Sequence, residues 1–292
     1  MASYETYQQD LITIGVDIYN VEFEALGGEV VFPDSEELPS AKGILIQDEK
    51  DLDKLKLPDP SSDGRMPLFI NAASRVQEEI GNEVNVSCAV VGPFTLSAIL
   101  CGFEEFIFHL ISNQNFAMKV MDFASKVSVS YAGAFAEKGL GVAINESWIS
   151  PPLLSPDLYR KFVYPKEKEM IDQLKKMGVS NIALISGGNT TQIAESMIKT
   201  GSSLLIADPE TDQKFYKELC AENNRILRAN MSSGLIESGT EQEIRQEIER
   251  LIKLRGDYSK FVFGCGVVSY STSVECMLKL KKYFKEIEKQ DL

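Results

Sequence analysis

The chain has 292 residues, of which 44% are hydrophobic and 25% charged, and its formal net charge is −13. This composition is ordinary for a folded globular protein, and the acidic balance argues against the basic surface of a nucleic-acid-binding protein. The apolar runs are shorter than the roughly 20 residues that a membrane span needs, and the N-terminus lacks a signal-peptide pattern. Five cysteines without a CxxC pair predict reduced thiols in a cytoplasmic protein.

The predicted secondary structure begins with the end of a helix at 4–10, a strand in LITIGVD and a hairpin-like pair of short strands in EVVFPDSEELPSAKGILIQD. A helix at 67–82 follows, and the buried strands NVSCAVV and GVAINES flank a helical stretch that includes 114–139. The remaining predicted elements are helix 156–177, the strand in NIALISGGN, helix 190–200, strand 203–207, helix 211–223, strand 225–230, helix 240–255, strand 260–265 and helix 272–289.

This alternation of strands and helices predicts one α/β domain, 1–292, built on a parallel sheet with short connections. The pattern Thr240-x-x-Glu243 predicts a capping box at the start of the helix 240–255. We count about seven barrel-type strands, one short of a complete eightfold barrel.

Polar residues follow several of these strands at the point where each strand ends. In parallel barrels, residues at the C-terminal strand ends usually form the active site. Acids close behind the first strand are equally typical of a solvated helical turn, and the only tryptophan suits either a pocket wall or packing. The candidates are Asp17, Tyr19, Asn20, Glu22, Glu146, Trp148, Ser186, Asn189, Asp208, Asn230 and Cys265.

The chemistry of these candidates leaves several roles open. Glu146 suits a metal ligand, a general acid or base, or a hydrogen-bond partner, and Cys265 between two glycines suits a thiolate ligand or a nucleophile. Ser186 and Asn189 can donate hydrogen bonds, while the glycines between them let backbone N–H groups face an anion or an oxygen. The sequence contains no GxGxxG, P-loop or GxSxG pattern, which argues against nucleotide chemistry and a serine hydrolase.

Six stretches, in their order and spacing, resemble the uroporphyrinogen decarboxylase superfamily and, within it, the corrinoid-dependent methyltransferases. The resemblance implies a TIM-type (β/α)8 barrel with its pocket at the C-terminal strand ends. The chain lacks the arginine-rich N-terminal segment of the decarboxylases and starts after the family's first helix and strand, which predicts a barrel shortened at the N-terminus. The stretches are VEFEALGGEVVF, VVGPFTLSAILCG, NESWISPPLLSPDLYRKFVYP, NIALISGGNTTQI, ANMSSGLIESGTEQEI and FVFGCGVVSYSTSVE.

The zinc members that activate thiols are similar to this chain at only one of three ligand positions. The resemblance implies a His-x-Cys-Gly motif at the end of the central strand, where this chain has Leu184 and Ser186, and a cysteine in the last strand, which Cys265 matches. Cys265 with Glu146 would therefore be a weak pair for zinc. The only histidine, His109, lies beside the apolar face of a predicted helix, where a structural role is typical.

The resemblance implies a methyltransferase that moves a methyl group between a small methylated substrate and the corrinoid of a partner protein. One alternative is a zinc-dependent methylcobalamin:thiol methyltransferase, and another is a non-catalytic relative that binds a ligand or a corrinoid protein. A partner or a second copy of the chain, in a homo-oligomer, could cover the missing strand. The demethylase-like hypothesis makes Glu146, Asp17 and Tyr19 catalytic, assigns substrate binding to Asn20, Glu22, Trp148, Ser186, Asn189, Asp208 and Asn230, and leaves Cys265 with Glu146 for a metal.

Overall fold

A parallel sheet of seven strands organises the fold. The computed structural model describes residues 2–17, 19–34 and 37–288. The parallel sheet has the order β1-β4-β5-β6-β7-β8-β9, while β2 and β3 form a separate antiparallel pair, which confirms the predicted strand count and the predicted hairpin-like excursion. The strands are β1 (Leu11–Ile14), β2 (Glu29–Val31), β3 (Ser40–Lys42), β4 (Asn85–Val91), β5 (Gly141–Asn145), β6 (Ile182–Ile185), β7 (Leu204–Ala207), β8 (Ile226–Met231) and β9 (Phe261–Cys265).

The helices alternate with the parallel strands as predicted. The last predicted helix, 272–289, ends at a residue that lies outside the described residues, and the predicted capping box between Thr240 and Glu243 is confirmed. A π-helical turn, Tyr159–Val163, lies within the predicted helix 156–177, and a 3-10 turn, Thr191–Ile193, lies near the start of the predicted helix 190–200. The helices are α1 (Ala2–Tyr7), α2 (Asn20–Ala25), α3 (Glu49–Lys54), α4 (Met66–Ile80), α5 (Pro93–Cys101), α6 (Phe103–Ser112), α7 (Gln114–Ala136), α8 (Pro156–Leu158), α9 (Tyr164–Lys176), α10 (Ala194–Lys199), α11 (Gln213–Glu222), α12 (Ser233–Ser238), α13 (Glu241–Arg255) and α14 (Val274–Glu288).

The strand register decides which side chains face the inside of the curved sheet. Ala89, Ala143 and Ala183 are register partners across β4, β5 and β6, so they lie on one face. Two residues further along, Val91, Asn145 and Ile185 form the next layer of the same face. Because side chains alternate along a strand, the intervening residues point to the outer face, where helices such as α7 cover β4 and β5. The small inner alanines leave room above them.

The two edges of the sheet do not meet. Within the described ranges, β1 pairs only with β4 and β9 only with β8. The sheet is therefore an open half-barrel, because these ranges contain no eighth parallel strand, and the closed (β/α)8 barrel implied by the resemblance is not what they form. Lys281 of α14 spans the open edge, because its Nζ donates to the carbonyl of Tyr7 (2.7 Å) and to Oε1 of Gln8 (3.1 Å).

Two apolar helices pack beside the central strands. Within the ranges given above, no single helix is long and apolar enough to cross a membrane. The helices α5 and α6, which are bent by 107° relative to each other, meet that criterion of length and composition only when they are taken together. Phe94 and Leu96 of α5 and Phe106 of α6 are fully buried, so this pair contributes to the hydrophobic core.

Candidate functional site

A cavity of about 530 Å³ opens among the C-terminal ends of the strands. Its apolar wall comes from inward-facing residues such as Ala89, Val91 and Ile206, a composition typical of a pocket for a small molecule. Seven of the eleven residues proposed from the sequence line it, namely Asp17, Tyr19, Glu22, Ser186, Asp208, Asn230 and Cys265.

One wall of the cavity comes from the segment between β1 and α2. Asp17 forms a close ion pair with Arg65, whose guanidinium also reaches Glu24. The side chain of Asn20, which does not line the cavity, donates to Oδ1 of Asp17 (3.1 Å) and to the carbonyl of Pro39 (3.0 Å). Asn20 therefore positions Asp17, and both carboxylates beside Arg65 have their charge compensated.

Tyr19 completes this wall. Its backbone adopts a left-handed conformation (φ 69°) at the start of α2, and its hydroxyl makes a very short hydrogen bond to the hydroxyl of Ser147. Trp148 lies behind it and does not line the cavity. The Trp148 ring makes edge contacts with Tyr19 (6.3 Å between centroids) and Phe103 (5.5 Å). The contacts of Trp148 are thus packing contacts with two aromatic rings.

Glu22 is a nearly buried carboxyl group on the cavity wall. It is 2% exposed, and its Oε1 accepts a hydrogen bond from the backbone N–H of Val91 (2.7 Å). Burial raises the pKa of Glu22 to about 7, and the nearby negative charge of Asp17 adds to this shift. A carboxyl group with this pKa holds a proton near neutral pH and can also release it, which suits a general acid or base.

Glu146 lies on the other side of its strand. Asn145 faces the cavity, so the next side chain points outward. The Glu146 carboxylate is fully buried and accepts three hydrogen bonds at the start of α5, from the N–H of Phe94 (2.9 Å), the N–H of Thr95 (2.8 Å) and the Thr95 hydroxyl (2.7 Å). This geometry caps a helix and gives no support to the predicted catalytic or metal-binding role of Glu146.

The opposite wall is a hydrogen-bonded set at the ends of β7 and β8. The carboxylate of Asp208 accepts hydrogen bonds from Nδ2 of Asn230 (2.7 Å) and from the backbone N–H of Gly188 (3.1 Å). Ser186 is buried on the wall of the cavity. Asn189 does not line the cavity. It lies in an exposed turn, where its Oδ1 accepts a hydrogen bond from the N–H of Thr191 (3.1 Å).

Arg228 is a cavity residue that the sequence reasoning missed. It lies in β8 two residues before Asn230, on the same inward face, and its Nη2 donates to the carbonyl of Cys265 (2.7 Å). Burial lowers the pKa of Arg228, while the neighbouring Cys265 and Asp208 oppose this shift. The available signal was a charged residue inside the predicted strand 225–230, spaced by two from Asn230.

The family of the chain follows from its match, over residues 1–286, to the uroporphyrinogen decarboxylase (URO-D) family. The chain belongs to this family. One similar URO-D relative is the methylcobamide:CoM methyltransferase MtbA of Methanosarcina acetivorans, with 25% identity over 94% of this chain and 80% of the relative. Another is the uroporphyrinogen decarboxylase of Prochlorococcus marinus, with 25% identity over 79% of this chain and 67% of the relative.

A solved structure supports the same placement within the URO-D family. The methyltransferase from Methanosarcina mazei superposes with a TM-score of 0.86 at 25% identity, and the match covers 98% of this chain and 83% of the other. The resemblance predicted from the sequence is therefore confirmed, both for the family and for its methyltransferase branch.

The residues of this URO-D member do not fit a zinc ion. Cys265 borders the cavity, whereas Glu146 points away from it. Leu184 is buried in the core, and His109 packs its ring edge-on against Phe116, 4.9 Å between centroids. The described part of the chain contains no group of three or more His, Cys, Asp or Glu placed to hold a metal ion. Zinc needs three or four such ligands, and these residues do not supply them.

Proposed function

We propose that this chain is a corrinoid-dependent methyltransferase, which moves a methyl group between a small substrate in the cavity and the cobalt of a corrinoid carried by a partner protein. The observation that carries this proposal is Glu22, a carboxyl group on the cavity wall whose pKa burial raises to about 7. The fold that positions it is shared with a methyltransferase from Methanosarcina mazei.

The proposed reaction needs one proton for each methyl group. When cobalt(I) takes a methyl group from an oxygen, nitrogen or sulfur atom of the donor, the bond to the methyl carbon breaks and the donor atom keeps its electron pair. That atom is then protonated, so donor, cobalt(I) and one proton give demethylated donor and methyl-cobalt(III). Protonated Glu22 supplies the proton, and in the reverse direction its carboxylate accepts one. Tyr19 and Asp17 line the same wall and orient the reacting end of the substrate.

We favour the demethylating direction. A thiol acceptor is usually held as a thiolate by a Lewis acid, and this chain has Leu184 and Ser186 at two of the positions where the resemblance implies zinc ligands. The second candidate is methyl transfer to a thiol, which the name of the relative MtbA, a methylcobamide:CoM methyltransferase, favours. In that case Glu22 would take the thiol proton without a metal.

We also propose that the fold is a (β/α)8-type barrel lacking one strand and that a partner protein covers the mouth of the cavity. Two residues that border both the cavity and the open edge are strongly exposed, Val16 by 64% and Val267 by 90%. Apolar side chains in such a position suit a protein partner better than water. A corrinoid protein bound there would bring its cobalt to the substrate, while a second copy of the chain is the alternative occupant.

The test is methyl transfer between cobalamin and small substrates, followed by the absorbance change between cob(I)alamin and methylcobalamin. Methoxylated aromatics, methylamines and methyl thioethers serve as donors, and small thiols serve as acceptors of methylcobalamin. We expect transfer by the native chain and a loss of about 100-fold or more in Glu22→Gln, the usual size of a general acid–base contribution.

The control is Glu78→Gln, which removes an exposed carboxyl group from α4 and should leave the rate unchanged. Equal rates in Glu22→Gln and the native chain would remove Glu22 from the mechanism. Absence of transfer in both directions, together with binding of a corrinoid protein, would instead identify a relative that binds without catalysis.

A further inference from the structure

Arg228 is a partly buried cation on the cavity wall, and the described residues give it no carboxylate partner within ion-pair distance. Other arginines of the chain, such as Arg65, Arg245 and Arg250, have an Asp or Glu oxygen within 3 Å. For Arg228, the described residues provide one hydrogen bond, to the neutral carbonyl of Cys265. A cation that is partly removed from water and has no carboxylate partner is unfavourable, so this position favours an anionic ligand.

The surroundings of Arg228 hold its guanidinium group against the cavity. Gly264, its neighbour on β9, has no Cβ, and a Cβ there would lie 2.4 Å from Nε of Arg228 and 2.3 Å from Oδ1 of Asn230. The carbonyl of Cys265 fixes one end of the guanidinium through Nη2. This arrangement gives the guanidinium group of Arg228 the space to reach the cavity from the inner face of β8.

Oδ1 of Asn230 provides a second observation at the same place. It is buried and has no hydrogen-bond partner among the described residues, whereas Nδ2 of Asn230 donates to Asp208. Arg228 therefore lies on the cavity wall without a carboxylate partner, beside a buried acceptor that these residues leave unpaired. An anionic group bound at Arg228 would compensate its charge.

The other charged groups that line the cavity do not serve as partners of Arg228. Asp17 is paired with Arg65, and Glu22 lies on the same wall as Asp17, where it accepts from Val91. Asp208 lies near enough to raise the pKa of Arg228, but its two oxygens accept from Asn230 and Gly188.

We propose that Arg228 binds a carboxylate of the substrate and that the chain therefore acts on small methylated carboxylic acids. A guanidinium group matches a carboxylate with two parallel hydrogen bonds. Arg228 on β8 and Glu22 on α2 lie on different walls of the cavity, so a substrate anchored at Arg228 extends its methylated end towards the proton source. The assignment of the acid as a methyl donor rests on the proposed function, whereas binding of the carboxylate does not.

The test compares acids with their neutral amides, which have nearly the same shape. Calorimetry measures the dissociation constants of 3-methoxybenzoate against 3-methoxybenzamide and of 3-(methylthio)propanoate against its amide. In the native chain, we expect at least one acid to bind about 10- to 100-fold more tightly than its amide, the range expected for charge-assisted hydrogen bonds. In Arg228→Met this preference should disappear.

Two further variants keep the test decisive. Arg228→Lys retains the charge and should keep part of the preference, and it stands in for Arg228→Met if that variant does not fold by circular dichroism. Arg75→Met removes an exposed arginine of α4 and should keep the whole preference. An equal preference in Arg228→Met and in the native chain would overturn the proposal, as would a native chain that binds neither acid more tightly than its amide.

The calorimetric result also separates this inference from the proposed function. If the acids bind through Arg228 but no methyl group reaches cob(I)alamin, the proposed function fails and the carboxylate site remains. If methyl transfer occurs but acids and amides react with equal kcat/KM, the carboxylate site fails and the methyltransferase remains.

Discussion

Glu22 and Glu146 are two buried carboxyl groups near the C-terminal ends of the strands, and burial raises the pKa of each to about 7. They differ in what surrounds them. Glu22 accepts a hydrogen bond from Val91 and lines the cavity, whereas Glu146 accepts three hydrogen bonds from the start of α5 and lies outside the cavity lining. The raised pKa reflects burial in both cases, and the direction of the side chain separates the carboxyl group that lines the cavity from the one that caps a helix.

The largest difference in stability should appear when each carboxyl group is removed. Glu146→Ala leaves the buried N–H groups of Phe94 and Thr95 without acceptors, so we expect a loss of about 3 kcal/mol or more in the free energy of unfolding. Glu22→Gln keeps an acceptor for the N–H of Val91 and should cost less than about 1 kcal/mol. Urea unfolding measures both losses, and a Glu146→Ala variant as stable as the native chain would contradict the structural role of Glu146.

The stability of the folded chain should also depend on pH through Glu22. The pKa of Glu22 rises from 4.5 to about 7 on folding, so between these values the folded state keeps a proton that the unfolded state has lost. The stability contributed by this proton is complete below about pH 4.5 and is lost as the pH rises towards 7. Replacing Glu22 with Gln should therefore reduce the decline between pH 5 and 7, by up to about 1.4 kcal/mol per pH unit.

The matched control for this measurement is again Glu78→Gln, because Glu78 is exposed and its removal should leave the pH dependence as it is in the native chain. The measurement is a series of urea unfolding curves at half-unit steps of pH. If the free energy of unfolding depends on pH in the same way in the native chain and in Glu22→Gln, then Glu22 is already ionised at pH 5. That result would contradict its proposed role as an acid.

The smallest effect should come from Cys265→Ser. The hydrogen bond from Arg228 goes to the backbone carbonyl of Cys265, which the substitution keeps, and burial raises the pKa of the thiol, so it stays protonated. We expect the rate of methyl transfer to stay within about threefold of the native rate, since the substitution keeps the hydrogen bond of Arg228 and changes no charge near neutral pH. A rate that falls 100-fold would reveal a thiolate in the reaction.

Much of this architecture was readable from the sequence, because apolar runs of strand length alternate with amphipathic helices and polar residues follow the strands. The sequence did not show which side chains of each strand face the cavity. Strands of a parallel sheet are covered on both sides, so their residues are apolar on both faces and show no alternation. Asn145 and Glu146 illustrate the problem, since the sequence made the acid the better candidate and the structure turns the amide towards the cavity. Arg228 was missed for the same reason.

The open edge between β1 and β9 limits how this sheet can be completed. If two copies of the chain paired through β1 about a twofold axis, each copy would still have a free β9 with unpaired backbone groups. A single parallel strand placed between β1 and β9 would satisfy both edges at once and close the ring around the cavity. Closure therefore needs one strand beyond those that the described residues form, and symmetrical dimers of this kind would leave the half-barrel open.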